Sequence, residues 1–324
     1  MKKIALIVLL MIASVIPVSA QQAQPAAQPT QTPISVVDSA LFTKATDSIT
    51  AQDFKTAVLD LSLFILLNPT YSPAYYGRAQ SYMGLNDFDH ALQDVDHALA
   101  TAGTAATPDY SATLYTTRGE IDRHQQKPDD ALKDFTQAIT LAPSEQALAE
   151  RGLLYASQND LPSGLKDLNS AVALDATNPV LYIYRGEINN GLHDSKSTAA
   201  DYLHFFSLIQ PNPTQHAPIN SGDVVTLQVD QGVVFIVPFT VKARQYVSAL
   251  AAARTGSVDP LMVLIDPTGK PLAGDDDSGG NVNALILNYI APADGQYALV
   301  VGHSLGGVTG TVLVQLQITD TPAQ

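Results

Sequence analysis

Ser304 stands in a segment whose pattern is typical of a catalytic nucleophile. Residues 302–306 read Gly-His-Ser-Leu-Gly, which matches the G-x-S-x-G elbow where a strand turns sharply into a helix. That arrangement needs an acid and then a histidine further along the chain. Asp320 is the only acid that follows, and no histidine does. We therefore expect these glycines to form the turn of a final β-hairpin without catalysis. The alternative is an accessory subunit or a hydrolase that acts on an extracellular polymer.

A run of three aspartates offers a second kind of chemistry. Asp275, Asp276 and Asp277 precede Ser-Gly-Gly-Asn, and carboxylates clustered on a loop can wrap a hard cation such as Ca²⁺. The EF-hand spacing is absent, and residues 212–324 contain no glutamate. A solvated acidic turn is the favoured interpretation, so no cofactor is expected. The alternative is weak Ca²⁺ binding by Asp275 and Asp277 together with Asp259.

Composition narrows the remaining function classes. The chain has no cysteine, which excludes disulfides, thiolate metal sites, thiol catalysis and a lipid-modified cysteine anchor. Its 31 acidic and 17 basic residues give a net charge of −14. Binding to nucleic acid needs a basic face, and anionic lipid repels an acidic surface such as this chain's. Neither is expected as a partner.

A basic residue followed sixteen positions later by an aspartate occurs five times, at a nearly fixed period. Spacings of three and four residues around each pair predict two amphipathic helices that are joined by a polar turn. The turn lies midway between the two residues, so they should face each other across a helical hairpin. We expect structural ion pairs; a row of ligand-binding arginines is the alternative. The pairs are Lys44/Asp60, Arg78/Asp94, Arg118/Asp134, Arg151/Asp167 and Arg185/Asp201.

The residues that recur at the same positions of the five units resemble the tetratricopeptide repeat. The best match is Tyr115-x-x-Arg118-Gly119 with Ala131-x-x-Asp134-Phe135. The resemblance covers five units over residues 36–211 and implies an α-helical solenoid whose first helices line a groove for a peptide or protein. The alternative is that several groove positions, Ile183 above all, are ordinary packing residues. The positions carried over are Phe42, Tyr76, Gln80, Met83, Thr116, Glu120, Arg123, Ile183, Glu187 and Asn190.

The hydrophobic period changes after Pro211. Short β-branched and aromatic runs, separated by Gly, Pro, Asp and Asn, predict an antiparallel β-sandwich over residues 212–324. The order of its turns, Val258 to Leu261, Leu264 to Gly269, Ala273 to Asp277 and Ala291 to Tyr297, resembles the bacterial pre-peptidase C-terminal domain. The resemblance implies a jelly-roll-like accessory module without catalysis. Some members of that family bind calcium or polymers.

The first residues predict export. Lys2 and Lys3 precede an apolar run over residues 4–16, and Ala20 offers a cleavage position, so residues 1–20 resemble a signal peptide. An uncleaved membrane anchor is the alternative. Residues 21–35 are uncharged and poor in bulky apolar side chains, which predicts a disordered linker. We expect a secreted or periplasmic protein without stable membrane insertion after cleavage.

These predictions combine into a multidomain protein, α then β, that acts as an exported, non-enzymatic adaptor or scaffold. Its repeats would bind a protein or peptide, and its β-sandwich would attach to that partner or to a surface. In a third interpretation, the sandwich binds polysaccharide or matrix, and the repeats act only as a spacer.

Overall fold

The computed structural model describes residues 36–103, 106–230, 232–256, 258–280, 282–304 and 309–323. The predicted signal peptide, the linker and the turn glycines Gly306 and Gly307 lie outside these residues. Within the described chain, no helix is long and apolar enough to cross a membrane. The chain divides into two compact units, one that ends at Leu154 and one that begins at Tyr155.

Ten helices among the described residues form five successive pairs. The sixth helix is the last that lies wholly in the first unit, and the seventh contains the unit boundary. The change from helices to strands comes after Ile209, close to the predicted position at Pro211. The helices are α1 (Val36–Thr50), α2 (Phe54–Leu67), α3 (Ser72–Gly84), α4 (Phe88–Ala102), α5 (Pro108–His124), α6 (Pro128–Leu141), α7 (Glu145–Ser157), α8 (Leu161–Leu174), α9 (Pro179–Gly191) and α10 (Ser195–Ile209).

The turn inside each pair has the same backbone geometry. One non-glycine residue with a positive φ directly precedes the N-cap residue of the second helix, and these five residues are Gln52, Asn86, Gln126, Asn159 and His193. In four of the five turns an aspartate then caps the second helix, as Asp53 does by accepting from the Thr56 amide at 3.3 Å. Such a cap satisfies one amide that the helix leaves without a partner.

Ion pairs join the two helices of several hairpins. The Arg118 guanidinium binds Asp134 through Nε at 2.6 Å and Nη2 at 2.8 Å, and Arg78 binds Asp94 in the same forked way. Arg185 Nη2 lies 2.5 Å from Asp201, and Lys44 Nζ lies 3.0 Å from Asp60. The members of the fourth pair, Arg151 and Asp167, belong to different units.

The tyrosine three residues before each of these arginines has a physical role. In the three hairpins that carry the Tyr-x-x-Arg pattern, the guanidinium lies 5.3–5.8 Å from the centre of the tyrosine ring. That distance is within the range of a cation–π contact. Asp94, Asp134 and Asp201 are buried, so each of these ion pairs compensates a carboxylate that has lost contact with water.

The C-terminal β-module, defined here as Thr214 to Thr319, contains two sheets. The strands are β1 (Thr214–Gln215), β2 (Val224–Val229), β3 (Phe235–Val241), β4 (Tyr246–Thr255), β5 (Pro260–Ile265), β6 (Pro271–Asp275), β7 (Ala284–Ile290), β8 (Gly295–His303) and β9 (Gly310–Thr319). One sheet has the order β1-β3-β8-β5-β6 and the other the order β2-β9-β4-β7; every pair is antiparallel except β1 with β3. The expected final β-hairpin was wrong, because β8 and β9 lie in different sheets.

The two sheets share one apolar core. Alternate residues of both sheets, such as Phe239 and Leu299 of one and Val314 and Leu316 of the other, belong to the same buried cluster. A segment of alternating burial has one face on the core and one outside. β5 departs from that alternation, because five of its six residues are buried. Both faces of this sheet are therefore covered in the region of β5.

Helix α10 covers the second face of that sheet. Its Tyr202, Phe205 and Phe206 share a buried cluster with Leu261 and Val263 of β5. The helix comes so close to β6 that a Cβ at position 274 would lie 2.9 Å from the Ala199 Cα. No strand signal marks β6 in the sequence, because Ala273 and Gly274 have low strand propensity. Small side chains are needed there for the helix to approach.

Candidate functional site

The first helices of successive pairs bring several predicted groove residues together in the first unit. Tyr76 and Gln80 lie four residues apart on α3, and Glu120 and Arg123 lie three apart on α5. Residues with these spacings share one face of a helix. The four side chains are partly buried.

Side chains of α7 complete the cluster. Gln146 Nε2 donates to Glu120 Oε1 at 2.7 Å, and Arg123 Nε lies 3.1 Å from Glu150 Oε2. On the other side, Gln80 Nε2 donates to the Tyr76 hydroxyl at 3.0 Å. We call these six residues, Tyr76, Gln80, Glu120, Arg123, Gln146 and Glu150, the polar cluster. It contains two carboxylates and one guanidinium, together with neutral donors and acceptors.

Burial changes the acidity of two members of the polar cluster. It raises the pKa of Glu120 to about 8; the Glu150 carboxylate adds to the rise, and Arg123 opposes it. It also raises the pKa of Tyr76 to about 12. Burial favours the neutral form of an acid because a charge loses its hydration. A group that brings positive charge or a hydrogen-bond donor to Glu120 therefore stabilises its ionised form.

Sequence reasoning missed Gln146 and Glu150. The family's groove columns fall on other positions of α7, so neither residue was carried over. Charge complementarity between neighbouring first helices is the signal that could have found Glu150, because Arg123 needs an acid on the adjacent helix.

Three other predicted groove residues of the first unit have packing contacts. The Phe42 ring lies 5.1 Å from Phe64 and 5.4 Å from Tyr71, so it packs in the core of the first hairpin. Met83 packs on the cluster around Ala79 and Ala91. Thr116 is buried, and its hydroxyl donates to the Ala112 carbonyl of its own helix at 2.9 Å. Thr116 therefore presents no hydrogen-bonding group to a partner.

The predicted groove residues of α9 are placed differently. Ile183 is fully buried in a cluster with Val263 and Val300 of the β-module. As a groove residue it was wrong, because it is buried against the sheet and no ligand can reach it. Glu187 accepts a hydrogen bond from the Tyr202 hydroxyl. Asn190 is partly exposed, and its carbonyl accepts from the His193 amide at 2.9 Å.

The acidic run is not a solvated turn, because two of its three aspartates are buried. Asp275, at the end of β6, accepts from the Ser278 amide at 2.9 Å and the Leu285 amide at 2.7 Å. These bonds give Asp275 a structural role and turn it away from a cation site. The three residues whose carboxylate oxygens lie within 4.8 Å of one another are Asp259, Asp276 and Asp277. The neighbour Asp276 therefore replaces Asp275 in the predicted set.

Ser304 lies beside these aspartates. It is buried; its hydroxyl donates to Asp259 Oδ2 at 2.8 Å, and its amide donates to the Asp259 carbonyl at 2.9 Å. A serine nucleophile needs a base that accepts its proton, and no histidine accepts from Ser304 among the described residues. This geometry supports a structural role for Ser304.

Comparisons with known proteins give partial similarity. No protein-family model matches the chain. Human tetratricopeptide repeat protein 13 is 28% identical over 137 residues, which are 41% of this chain and 15% of that protein. The chain thus spans a small part of this curated relative.

Solved structures resemble about half of the chain. MamA from Desulfovibrio magneticus RS-1 has a TM-score of 0.48 at 16% identity, covering 56% of this chain and 99% of that one. PilW, described as a widely conserved type IV pilus biogenesis factor, has a TM-score of 0.48 at 18% identity, and the match covers 54% of this chain and 79% of PilW. YrrB, described as a TPR protein with an unusual peptide-binding site, has a TM-score of 0.42 at 16% identity, and the match covers 53% of this chain and 86% of YrrB.

The helical part is an α-helical repeat region of ten helices in five successive pairs, and ion pairs join the helices of four of them. It is similar to the tetratricopeptide repeat protein above over part of its length. The predicted repeat of helical pairs is confirmed. The pre-peptidase interpretation of the β-module stays a prediction.

Proposed function

We propose that this protein is an exported, non-enzymatic scaffold that binds a segment of a protein partner at the polar cluster. The observation that carries the proposal is the pair of contacts between α5 and α7, which join Glu120 to Gln146 and Arg123 to Glu150. Tyr76 of α3 lies close enough for the charge of Glu120 to act on its hydroxyl. Polar groups in a partly buried place lose hydration. A ligand that offers matching groups offsets that loss.

The chemistry of the cluster favours a particular kind of segment. Glu120 and Glu150 outnumber Arg123, and Glu120 is held as a weak acid by burial. A lysine or arginine side chain of the partner, or a row of backbone amides, would stabilise the ionised form of Glu120. The neutral donors of Gln80 and Gln146 suit peptide carbonyl groups. Repeats of this type reuse such faces to recognise peptides and helices.

Site-specific photo-crosslinking tests the proposal. A photoreactive amino acid replaces Gln80 in the full-length protein, expressed in its native host. The matched control replaces Gln93, which is exposed on the second helix of the same pair. We expect one dominant protein adduct from position 80 that is missing from position 93, and that weakens when Glu120→Gln is added. The same adducts from both positions, or none from position 80, would contradict the proposal.

Export and the nature of the β-module belong to the same proposal. The two packed sheets and the turn pattern support a pre-peptidase C-terminal-like accessory β-sandwich. The charged start and the apolar run of residues 1–20 support a cleaved leader. Mass spectrometry of the protein from its native host should find an N-terminus at Gln21, and a retained Met1 would contradict cleavage.

A further inference from the structure

Four carboxylates from separate parts of the second unit converge on one place. Asp259 immediately precedes β5, Asp276 and Asp277 follow β6, and Glu187 lies on α9. The carboxylate oxygens of the three aspartates lie within 4.8 Å of one another. Glu187 and Asp276 lie within hydrogen-bonding reach of each other, as do Asp276 and Asp259. We call these four residues the acidic cluster.

Asp276 is the central member of the acidic cluster and is almost completely buried, with 2% of its surface exposed. Its Oδ1 has no hydrogen-bond partner among the described residues, and neither has the buried Oδ1 of Asp259. Buried carboxylate oxygens are normally paired, since each costs free energy when it is left without a partner. Two such oxygens lie in the acidic cluster, and a bound cation would give both of them a partner.

Hydroxyl groups donate hydrogen bonds to two members of the acidic cluster. Tyr202 donates to Glu187, and Ser304 donates to Asp259 at 2.8 Å. Among the described residues, no ion pair joins a basic side chain to Glu187, Asp259 or Asp276. Carboxylates this close repel each other unless a proton or a cation lies between them.

We propose that the acidic cluster binds a divalent cation of the calcium type. Its four side chains offer only oxygen ligands, which Ca²⁺ prefers and takes in sets of six to eight. Glu187, Asp259 and Asp277 are only partly buried, so the ion can reach the site from solvent. The glutamate that the β-module lacks in its own sequence is supplied by α9. The cation would therefore join the last helical pair to the sheet.

Calcium titration of the full-length protein tests this site directly. The protein is stripped with a chelator, and its unfolding is followed by calorimetry with CaCl2, with MgCl2 or without metal. Saturating Ca²⁺ should raise the melting temperature of the unit that contains the β-module by roughly 5–10 °C. An unchanged melting temperature would overturn the proposal and leave a shared proton as the link between the carboxylates.

Two isosteric variants separate the cation from a structural proton. Asp276→Asn and Glu187→Gln keep the shape and the hydrogen-bonding reach of the side chains but remove one charge. Each should melt higher than the parent without metal, because repulsion falls, and should lose the calcium-dependent rise. The charge-matched control Asp130→Asn, at an exposed position of α6, should keep it. A full calcium response in Asp276→Asn would refute the assignment.

Terbium luminescence gives a second measurement that does not depend on variants. The chain has 13 tyrosines and no tryptophan, and the Tyr202 hydroxyl contacts the acidic cluster through Glu187. Tb³⁺ bound there should emit when tyrosine is excited, and Ca²⁺ should displace it. Absence of sensitised emission would argue against binding at this place.

Discussion

Replacing Arg118 by methionine should destabilise the first unit far more than the same change at Lys44. Both residues hold the aspartate of their hairpin, and methionine keeps most of the apolar stem that packs beneath the charge. Arg118 makes two short bonds to Asp134, whose side chain is 5% exposed. Lys44 Nζ lies 3.0 Å and 3.3 Å from the two carboxylate oxygens of Asp60, and the lysine side chain is 65% exposed.

The burial of the aspartate determines the size of the effect. Removing one partner of a buried pair costs about 3–5 kcal/mol, because the other charge stays buried without compensation. Arg118 is itself 25% exposed, so water can enter its place and rehydrate Asp134, which lowers the expected cost of Arg118→Met to about 2–3 kcal/mol. For Lys44→Met we expect less than about 1 kcal/mol, as for other exposed pairs.

Urea unfolding of the full-length protein, followed by far-ultraviolet circular dichroism, measures both values. The double variant Arg118→Met/Asp134→Leu adds a further check. It removes the buried charge along with its partner and should recover most of the lost stability. Equal costs for Arg118→Met and Lys44→Met would refute the argument, and so would a double variant less stable than Arg118→Met.

Three further predictions concern packing, backbone and ionisation. Gly186→Ala should cost about 1–3 kcal/mol in thermal unfolding, because the new Cβ collides with the Tyr202 ring; Gly77→Ala, whose Cβ has room at 3.4 Å, should be neutral or stabilising by up to about 1 kcal/mol. Gln126→Gly should stabilise by about 0.5–1 kcal/mol in urea unfolding, because the position has a φ of 60°; a loss would contradict the turn geometry. Folding raises the pKa of Glu120 from 4.5 to about 8. Between these two pH values the folded state keeps a proton that the unfolded state has lost, so the free energy of unfolding falls as the pH rises from 4.5 to about 8. The melting temperature of Glu120→Gln should therefore depend less on pH between 5 and 9 than that of the parent, and parallel curves would exclude the shift.

The helical pairs could be predicted because their signals are local. The spacing of sixteen residues between Arg118 and Asp134 already implied two helices and a turn midway between them. The contacts of Tyr115 and Gly119 follow from the same repeat, since both are fixed by positions within one hairpin. Most strands were also predicted, whereas β6 was missed because its small residues pack under a helix from a distant part of the sequence.

The candidate sites could be predicted only in part. The repeat columns placed Tyr76, Gln80, Glu120 and Arg123 on adjacent helix faces. They gave no sign of Gln146 or Glu150, because a contact between repeats depends on how neighbouring hairpins stack. For the acidic run, sequence proximity favoured Asp275, but the hydrogen bonds of the β6–β7 turn occupy Asp275 and leave Asp276 directed into the cluster.

By itself, the sequence determined the repeated hairpins and the two-sheet character of the C-terminal part, because helical and strand periods and turn residues act over a few neighbouring positions. Only the tertiary structure decided that Ile183 is covered by a sheet and that Glu187 meets Asp259 and Asp276. Those contacts join segments far apart in the chain. They arise because α10 and the sheet bury their apolar faces on each other, and no local pattern specifies that docking.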